Sequence, residues 1–136
     1  MRTSALALWL LALLSGLPLG GCGDDDPAAP DAEVTVSFEL DVQPVFNNQC
    51  TQCHNGSSGF GGLSLRPGES YGNLVSVDSA GYPGRLRVVP ERPEDSVLYV
   101  KISGSDLGQR MPPTGALSDE RVDTIRRWIA QGAANN

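Results

Sequence analysis

Three stretches of this chain carry an apolar rhythm that predicts helix, and long intervals rich in glycine and proline separate them. The first covers 41–49, with Asp41 placed as an N-cap, Pro44 in the first turn where its missing N–H is tolerated, and Phe46 on the same face as Cys50. The second opens at Pro93-Glu94-Asp95-Ser96 and runs to Ser103 before Gly104 stops it, with acids in its first turn and Leu98 and Ile102 one turn apart. The third follows Ser118 as N-cap; Asp119 and Glu120 suit its N-terminus, Val122, Ile125, Trp128 and Ile129 form one apolar stripe, and Gly132 ends it. A mainly helical domain is expected, with Asn55 to Gly62 a flexible loop that lacks the lysine and hydroxyl ending of a phosphate-binding loop.

The amino-terminal end follows a different pattern. Residues 1–21 place Arg2 ahead of an apolar stretch from Ala5 to Leu14 and finish in small residues before Cys22, the layout of a secretory signal peptide. That apolar core is shorter than the roughly 20 residues a membrane span needs, and no later segment is apolar enough, so the mature chain is expected to have no transmembrane helix. Leu19-Gly20-Gly21-Cys22 resembles the lipobox of bacterial lipoproteins, which implies cleavage before Cys22 and lipid on its sulfur. An ordinary signal peptide with an incidental Cys22 is the alternative. Gly23, where an aspartate would resemble an inner-membrane retention signal, leans the expectation towards the outer membrane. Residues 22–35 then read as the lipidated cysteine and a disordered tether of Gly, Asp, Pro and Ala, leaving 36–136 as the domain.

The domain so bounded has about a hundred residues, enough for one small core and no second. At that size a bound cofactor or covalent staple adds stability that burial alone does not supply. Ten basic residues face sixteen acidic ones, and loss of Arg2 with the leader leaves nine against sixteen, formally −7. This excludes nucleic acid as an expected partner. Asp24, Asp25, Asp26, Asp31 and Glu33 read as solvated linker rather than a docking patch.

Cys50-Thr51-Gln52-Cys53-His54 is the C-x-x-C-H pattern of covalent haem attachment. Two thiols three positions apart reach two vinyl groups on one haem edge, and the adjacent histidine then lies under the iron. A structural zinc site normally takes four Cys or His ligands, and the mature domain has only these three. A thioredoxin-like pair belongs in a βαβ context, whereas helix and Gly-rich loop flank this motif; a simple disulfide is the remaining alternative. With Cys22 taking lipid and Cys50 and Cys53 taking haem, no thiol is left over.

His54 is the only histidine, so a second imidazole from the same chain is excluded as the sixth iron ligand. Met1 leaves with the leader, and Met111, in Gln109-Arg110-Met111-Pro112-Pro113, is the only methionine that remains. Prolines fix the following backbone in a non-helical path, so a rigid loop presents one thioether; core filler is the ordinary alternative for a lone methionine. Arg66, Arg85, Arg87 and Arg110 are candidates to neutralise haem propionates, Trp128 is read as core or haem contact, and a loop carbonyl is expected to orient the other nitrogen of His54.

Phe38 with Asp41-Val42-Gln43-Pro44-Val45-Phe46, the Cys50 to His54 motif and Gly62-Leu63-Ser64-Leu65 come first along the domain. Val89-Pro90, Ser96-Val97-Leu98-Tyr99, Met111-Pro112-Pro113 and Trp128-Ile129 with Gly132-Ala133 follow. In these residues and their order the domain resembles the small cytochrome c-like domains of planctomycete and myxobacterial secreted proteins. The resemblance implies an all-α, class I-like monohaem cytochrome c fold with long Gly/Pro-rich loops. It implies Cys50, Cys53, His54 and Met111 as the haem site. Glu91-Arg92 stands where a glycine often follows the proline in such domains.

The expectation is a monomeric, periplasm-facing electron carrier with one covalent haem c, anchored in the cell envelope by its N-terminal lipid alone. It serves redox protein partners and uses no catalytic side chain. Two alternatives stay open at this point: a haem enzyme or gas sensor with a displaceable Met111, and a haem-free structural lipoprotein with Cys50 and Cys53 joined.

Overall fold

A computed structural model describes residues 34–56, 59–104 and 106–136; the leader 1–21, Cys22 and the tether as far as Glu33 lie outside the described residues. Four α-helices form the frame: α1 (Gln43–Gln49), α2 (Ser70–Leu74), α3 (Val97–Ser103) and α4 (Asp119–Ala130). Among the described residues no strand forms, only isolated bridges such as Val75 with Val88. The architecture is all-α. Among the described residues no helix is long and apolar enough to cross a membrane.

The first helical segment begins earlier than the pattern predicts. A wide π-helical turn, Phe38–Val42, precedes α1, and Ser37 rather than Asp41 is its cap. The Ser37 hydroxyl accepts from the Leu40 N–H, while the Asp41 carboxylate reaches back to accept the Ser37 N–H at 2.7 Å. This is a reciprocal capping pair in which the wider turn moves the acid one position further along than in the usual spacing. The turn buries Phe38 and Val42, side chains that a helix starting at Asp41 leaves unaccounted for.

The second predicted helix is divided. Pro93–Asp95 forms a 3-10 turn, Ser96 is extended, and α3 starts only at Val97. Ser96 is fully buried; its hydroxyl accepts the Val89 N–H at 2.8 Å and donates to the Arg92 carbonyl at 2.9 Å. A serine that bonds neighbouring backbone in this way competes with continuation of a helix. The third prediction holds closely. α4 buries Ile125, Trp128 and Ile129, and Gly132 at φ 98° ends it. The Ala133 N–H closes onto the Trp128 carbonyl and the Gly132 N–H onto the Ile129 carbonyl, a Schellman ending that favours glycine.

The core lies where α1, α4 and the π-helical turn meet. Phe38 is its hub, with ring centroids 5.1 Å from Trp128, 5.3 Å from Tyr71 and 6.3 Å from Phe46. Edge-on and tilted contacts of this kind add to the burial of the rings. Residues 37–39 are tied to Asn136 beside it: the Glu39 N–H and Ser37 hydroxyl donate to the Asn136 carbonyl, and the Phe38 N–H to the Asn136 side chain. α3 packs on α4 from the other side, and between α1 and α3 the chain from His54 to Met111 builds the remaining layer largely from turns.

Candidate haem-binding cleft

α1 delivers the thiol pair. The Cys50 N–H closes the helix onto the Phe46 carbonyl, and the N–H groups of Cys53 and His54 both turn back onto the Cys50 carbonyl, at 3.1 and 2.9 Å. Cys50 is half-buried and Cys53 exposed, and both are free thiols. Burial first, and the neighbouring Cys53 second, push the Cys50 thiol up to about 11, which keeps it protonated at neutral pH.

His54 is oriented by the loop that follows it. Its Nδ1 lies 3.0 Å from the Phe60 carbonyl oxygen. A carbonyl only accepts, so the proton sits on Nδ1 and Nε2 keeps a free lone pair. Burial lowers the His54 pKa, the Phe60 carbonyl works in the opposite direction, and the Arg87 guanidinium adds to the lowering. The imidazole is thereby held neutral, the form that ligates metal. Gly59 makes this hydrogen bond reachable: a Cβ there would lie 2.9 Å from the Gly56 carbonyl oxygen and 3.2 Å from that of Cys53.

Met111 arrives from the opposite end of the sequence segment. Its N–H donates to the Lys101 carbonyl at 2.7 Å, and the Arg110 Nε donates to the Ile102 carbonyl at 2.8 Å. These are carbonyls of the last turn of α3, which have no acceptor role inside the helix. The loop is thus sewn onto a helix end.

Cys50, His54 and Met111 line one cleft of about 220 Å³. Its walls are mainly apolar, from Leu63, Leu65, Leu74, Val97, Leu98 and Ile102. Two cations, Arg87 and Lys101, complete it. Of the four arginines singled out in the sequence, Arg87 alone lines this cleft. Its guanidinium donates to the carbonyls of Asn73 at 2.8 Å, Gly61 at 3.2 Å and Gly62 at 3.3 Å. Arg66 is exposed, and Arg110 is spent on Ile102. Trp128, 1 % exposed, belongs to the core and does not line the cleft; its Nε1 donates to the Ala134 carbonyl. Phe60, Tyr82 and Lys101 also border the cleft, and no periodicity or motif marked them in the sequence.

A second cleft, about 270 Å³, lies beside Phe38, Glu39, Gln43 and Tyr71. It contains no thiol, imidazole or thioether, and its buried polar pair, Ser70 and Gln43, is satisfied by a mutual hydrogen bond. The smaller cleft is therefore the one with chemistry. Among the described residues no three His, Cys, Asp or Glu side chains gather as a metal cluster.

A haem is flat and apolar-faced, with two vinyl groups on one edge and two carboxylates on another. The cleft offers it the Cys50 thiol, an imidazole lone pair, a thioether, aliphatic walls and a guanidinium, while the Cys53 thiol is exposed three positions further on and does not line the cleft; these residues fit the group. An all-α domain with a C-x-x-C-H motif opening onto such a cleft defines the class as a c-type cytochrome. Residues 50–115 match the family described as Planctomycete cytochrome C, and the chain carries a cytochrome c domain of that type. The match spans the whole cleft-bearing segment from Cys50 past Met111. No curated protein and no solved structure matches the chain. A cytochrome c domain of that type suggests covalently held haem c and haem-based electron transfer.

Proposed function

We propose that the chain is a lipid-anchored, periplasm-facing carrier of single electrons with one haem. Cys50 and Cys53 are the attachment residues, which would hold the haem through thioether bonds to its two vinyl groups. His54 Nε2 and the Met111 sulfur would hold the iron, and Arg87 would pair with a propionate. Cys22 carries the lipid. The observation that supports this reading best is the convergence of Cys50, His54 and Met111 on one apolar cleft.

When bound, the haem supplies a one-electron ferric–ferrous couple. The protein's part is arrangement. The Phe60 carbonyl fixes the His54 ring and its tautomer, the aliphatic walls exclude water, and a thioether opposite imidazole favours the ferrous state and raises the reduction potential. With one histidine in the chain there is no second imidazole to act as acid or base beside the iron, which favours a carrier over an enzyme. The secretory leader and lipobox-like Leu19 to Cys22 segment support an envelope location, on the outer membrane for preference, with redox proteins as transient partners and the chain itself a monomer.

Intact-mass spectrometry of protein matured in a host that assembles c-type cytochromes is the direct test. The expected mass includes one haem and the acyl groups on Cys22. An exported polypeptide bare at positions 50 and 53 would falsify the proposal. For the axial assignment, Met111→Ala should lower the potential and let the reduced protein bind carbon monoxide; an unchanged optical spectrum and potential would remove Met111 from the iron.

A further inference from the structure

Lys101 lines the cleft beside Met111, yet its ammonium points to backbone rather than to any carboxylate. It donates to the Leu107 carbonyl at 3.2 Å, to the Gln109 carbonyl, and to the Tyr82 hydroxyl at 3.2 Å. The Tyr82 hydroxyl in turn donates to the Leu107 carbonyl at 2.6 Å, and the ammonium stands 5.7 Å from the Tyr82 ring centroid. The same residue's backbone carbonyl receives the Met111 N–H at 2.7 Å. One residue therefore grips the segment before Met111 with its side chain and Met111 itself with its main chain.

The chemistry of the grip explains why a lysine does this. The segment over 106–110 is short and contains Gly108 at φ 81°, and its carbonyls have no helix or sheet to accept from. A charged donor with three hydrogens satisfies several such carbonyls at once, and charge-assisted bonds are the strong ones. The stem of Lys101 lines the cleft, and the Tyr82 hydroxyl joins the carbonyls in accepting from the ammonium. Lys101 sits in the last turn of α3, so its position is set by a helix that packs on α4.

We infer that Lys101, with Tyr82, is a positioning residue that fixes Met111 on the cleft through the 107–109 carbonyls and thereby controls how firmly the thioether stays on the iron. This rests on Met111 being an axial ligand. It goes beyond that reading by assigning the hold on Met111 to an ammonium that bonds the loop carbonyls before it.

The test uses the full-length haem-loaded protein in four forms: wild type, Lys101→Leu, Lys101→Arg and Met111→Ala. Three readouts are taken: the sulfur-to-ferric-iron charge-transfer band, the rate of carbon monoxide binding to the reduced protein, and amide exchange at 107–111. Losing one charged multi-carbonyl donor should release Met111 about tenfold more often. Lys101→Leu is thus expected to weaken the band, and to speed both carbon monoxide binding and exchange at 107–111 about tenfold, with α4 exchange unchanged. Lys101→Arg, which keeps the charge and several donors, should recover most of each.

Should Lys101→Leu not fold, Tyr82→Phe removes one hydroxyl and is read in the same way, with about a threefold effect. Wild-type band and gas binding in the variant, while Met111→Ala changes both, would overturn the inference and leave the axial assignment standing. An unchanged Met111→Ala spectrum would instead overturn the axial assignment, and the inference with it.

Discussion

The two sides of this domain are held together by different physics. Around Phe38, the frame of α1, α4 and the π-helical turn closes on itself: Val42, Phe46, Ile125, Trp128 and Ile129 are each at most 1 % exposed. The cleft layer adds Leu65, Leu74, Val88 and Ile102 to the same core but stays open on its cleft side. Leu63 and Leu98 are half-buried, Phe60 is 75 % exposed, and the layer's turns are held by side chains that donate to backbone carbonyls, chiefly those of Arg87, Lys101 and Tyr82. Non-directional burial organises the frame, and directional bonds organise the layer. A region built the second way takes its shape from a few donors, and a flat apolar group seated there supplies the contact area it otherwise lacks.

The sharpest test of that contrast is Trp128→Ala. The ring is at the centre of the frame and its Nε1 hydrogen bond to the Ala134 carbonyl, 2.9 Å, goes with it. A loss of ~3–5 kcal/mol in unfolding free energy is expected, measured by denaturant titration of the haem-loaded protein. A loss below about 1 kcal/mol would mean that the frame is not the stabilising half, since large-to-small changes in a closed core do not come that cheaply.

Preventing attachment should separate the halves. In Cys50→Ser/Cys53→Ser protein, amides of the layer from Val75 to Met111 are expected to exchange roughly 100-fold faster than in the haem-loaded chain, while those of α4 change little. Uniform acceleration through α4 would show one cooperative unit instead of two unequal ones. Ser96→Ala comes next in size. It strips the acceptor from the Val89 N–H at a fully buried position, and a cost of ~1–3 kcal/mol in thermal or denaturant unfolding is expected, because the orphaned donor bears its desolvation alone. An effect near zero would place water at that N–H.

The same division governs what the amino-acid sequence revealed. α4 was legible to its last residue because a 3.6-residue stripe, acids at its start and a glycine at its end all agree. α1 was legible in its interior but not at its start, since a π-helical turn puts the cap at Ser37 and makes Asp41, read as the cap itself, the acid that reaches back to it. Five residues containing Gly72 carry no measurable period, so α2 left no signal. At the candidate site, Cys50, Cys53 and His54 stand out because their motif is contiguous, and Met111 because the segment after the leader has no other methionine. Arg87, Phe60, Tyr82 and Lys101 are different: their roles arise from carbonyls that only the folded turns bring near, and nothing local distinguishes Arg87 from Arg66 or Arg85.

The smallest expected effect concerns the joint between the halves. Glu91 has φ 67°, in the left-handed region, and its N–H donates to the Ile129 carbonyl at 2.8 Å, tying the turn after Pro90 to the end of α4. A side chain costs about 1–2 kcal/mol in that conformation, and glycine costs nothing there sterically but loses ~0.5–1 kcal/mol more in backbone freedom on folding. The exposed carboxylate has no ion-pair partner among the described residues, so Glu91→Gly gives up no contact in exchange. Net stabilisation of ~0.5–1 kcal/mol is expected in denaturant titration, whereas Glu91→Val, with a branched Cβ in the same conformation, should destabilise. If glycine were neutral or harmful, the left-handed turn at 91 would not be the strained point of the joint. The sequence's departure from glycine at this position would then carry no energetic cost.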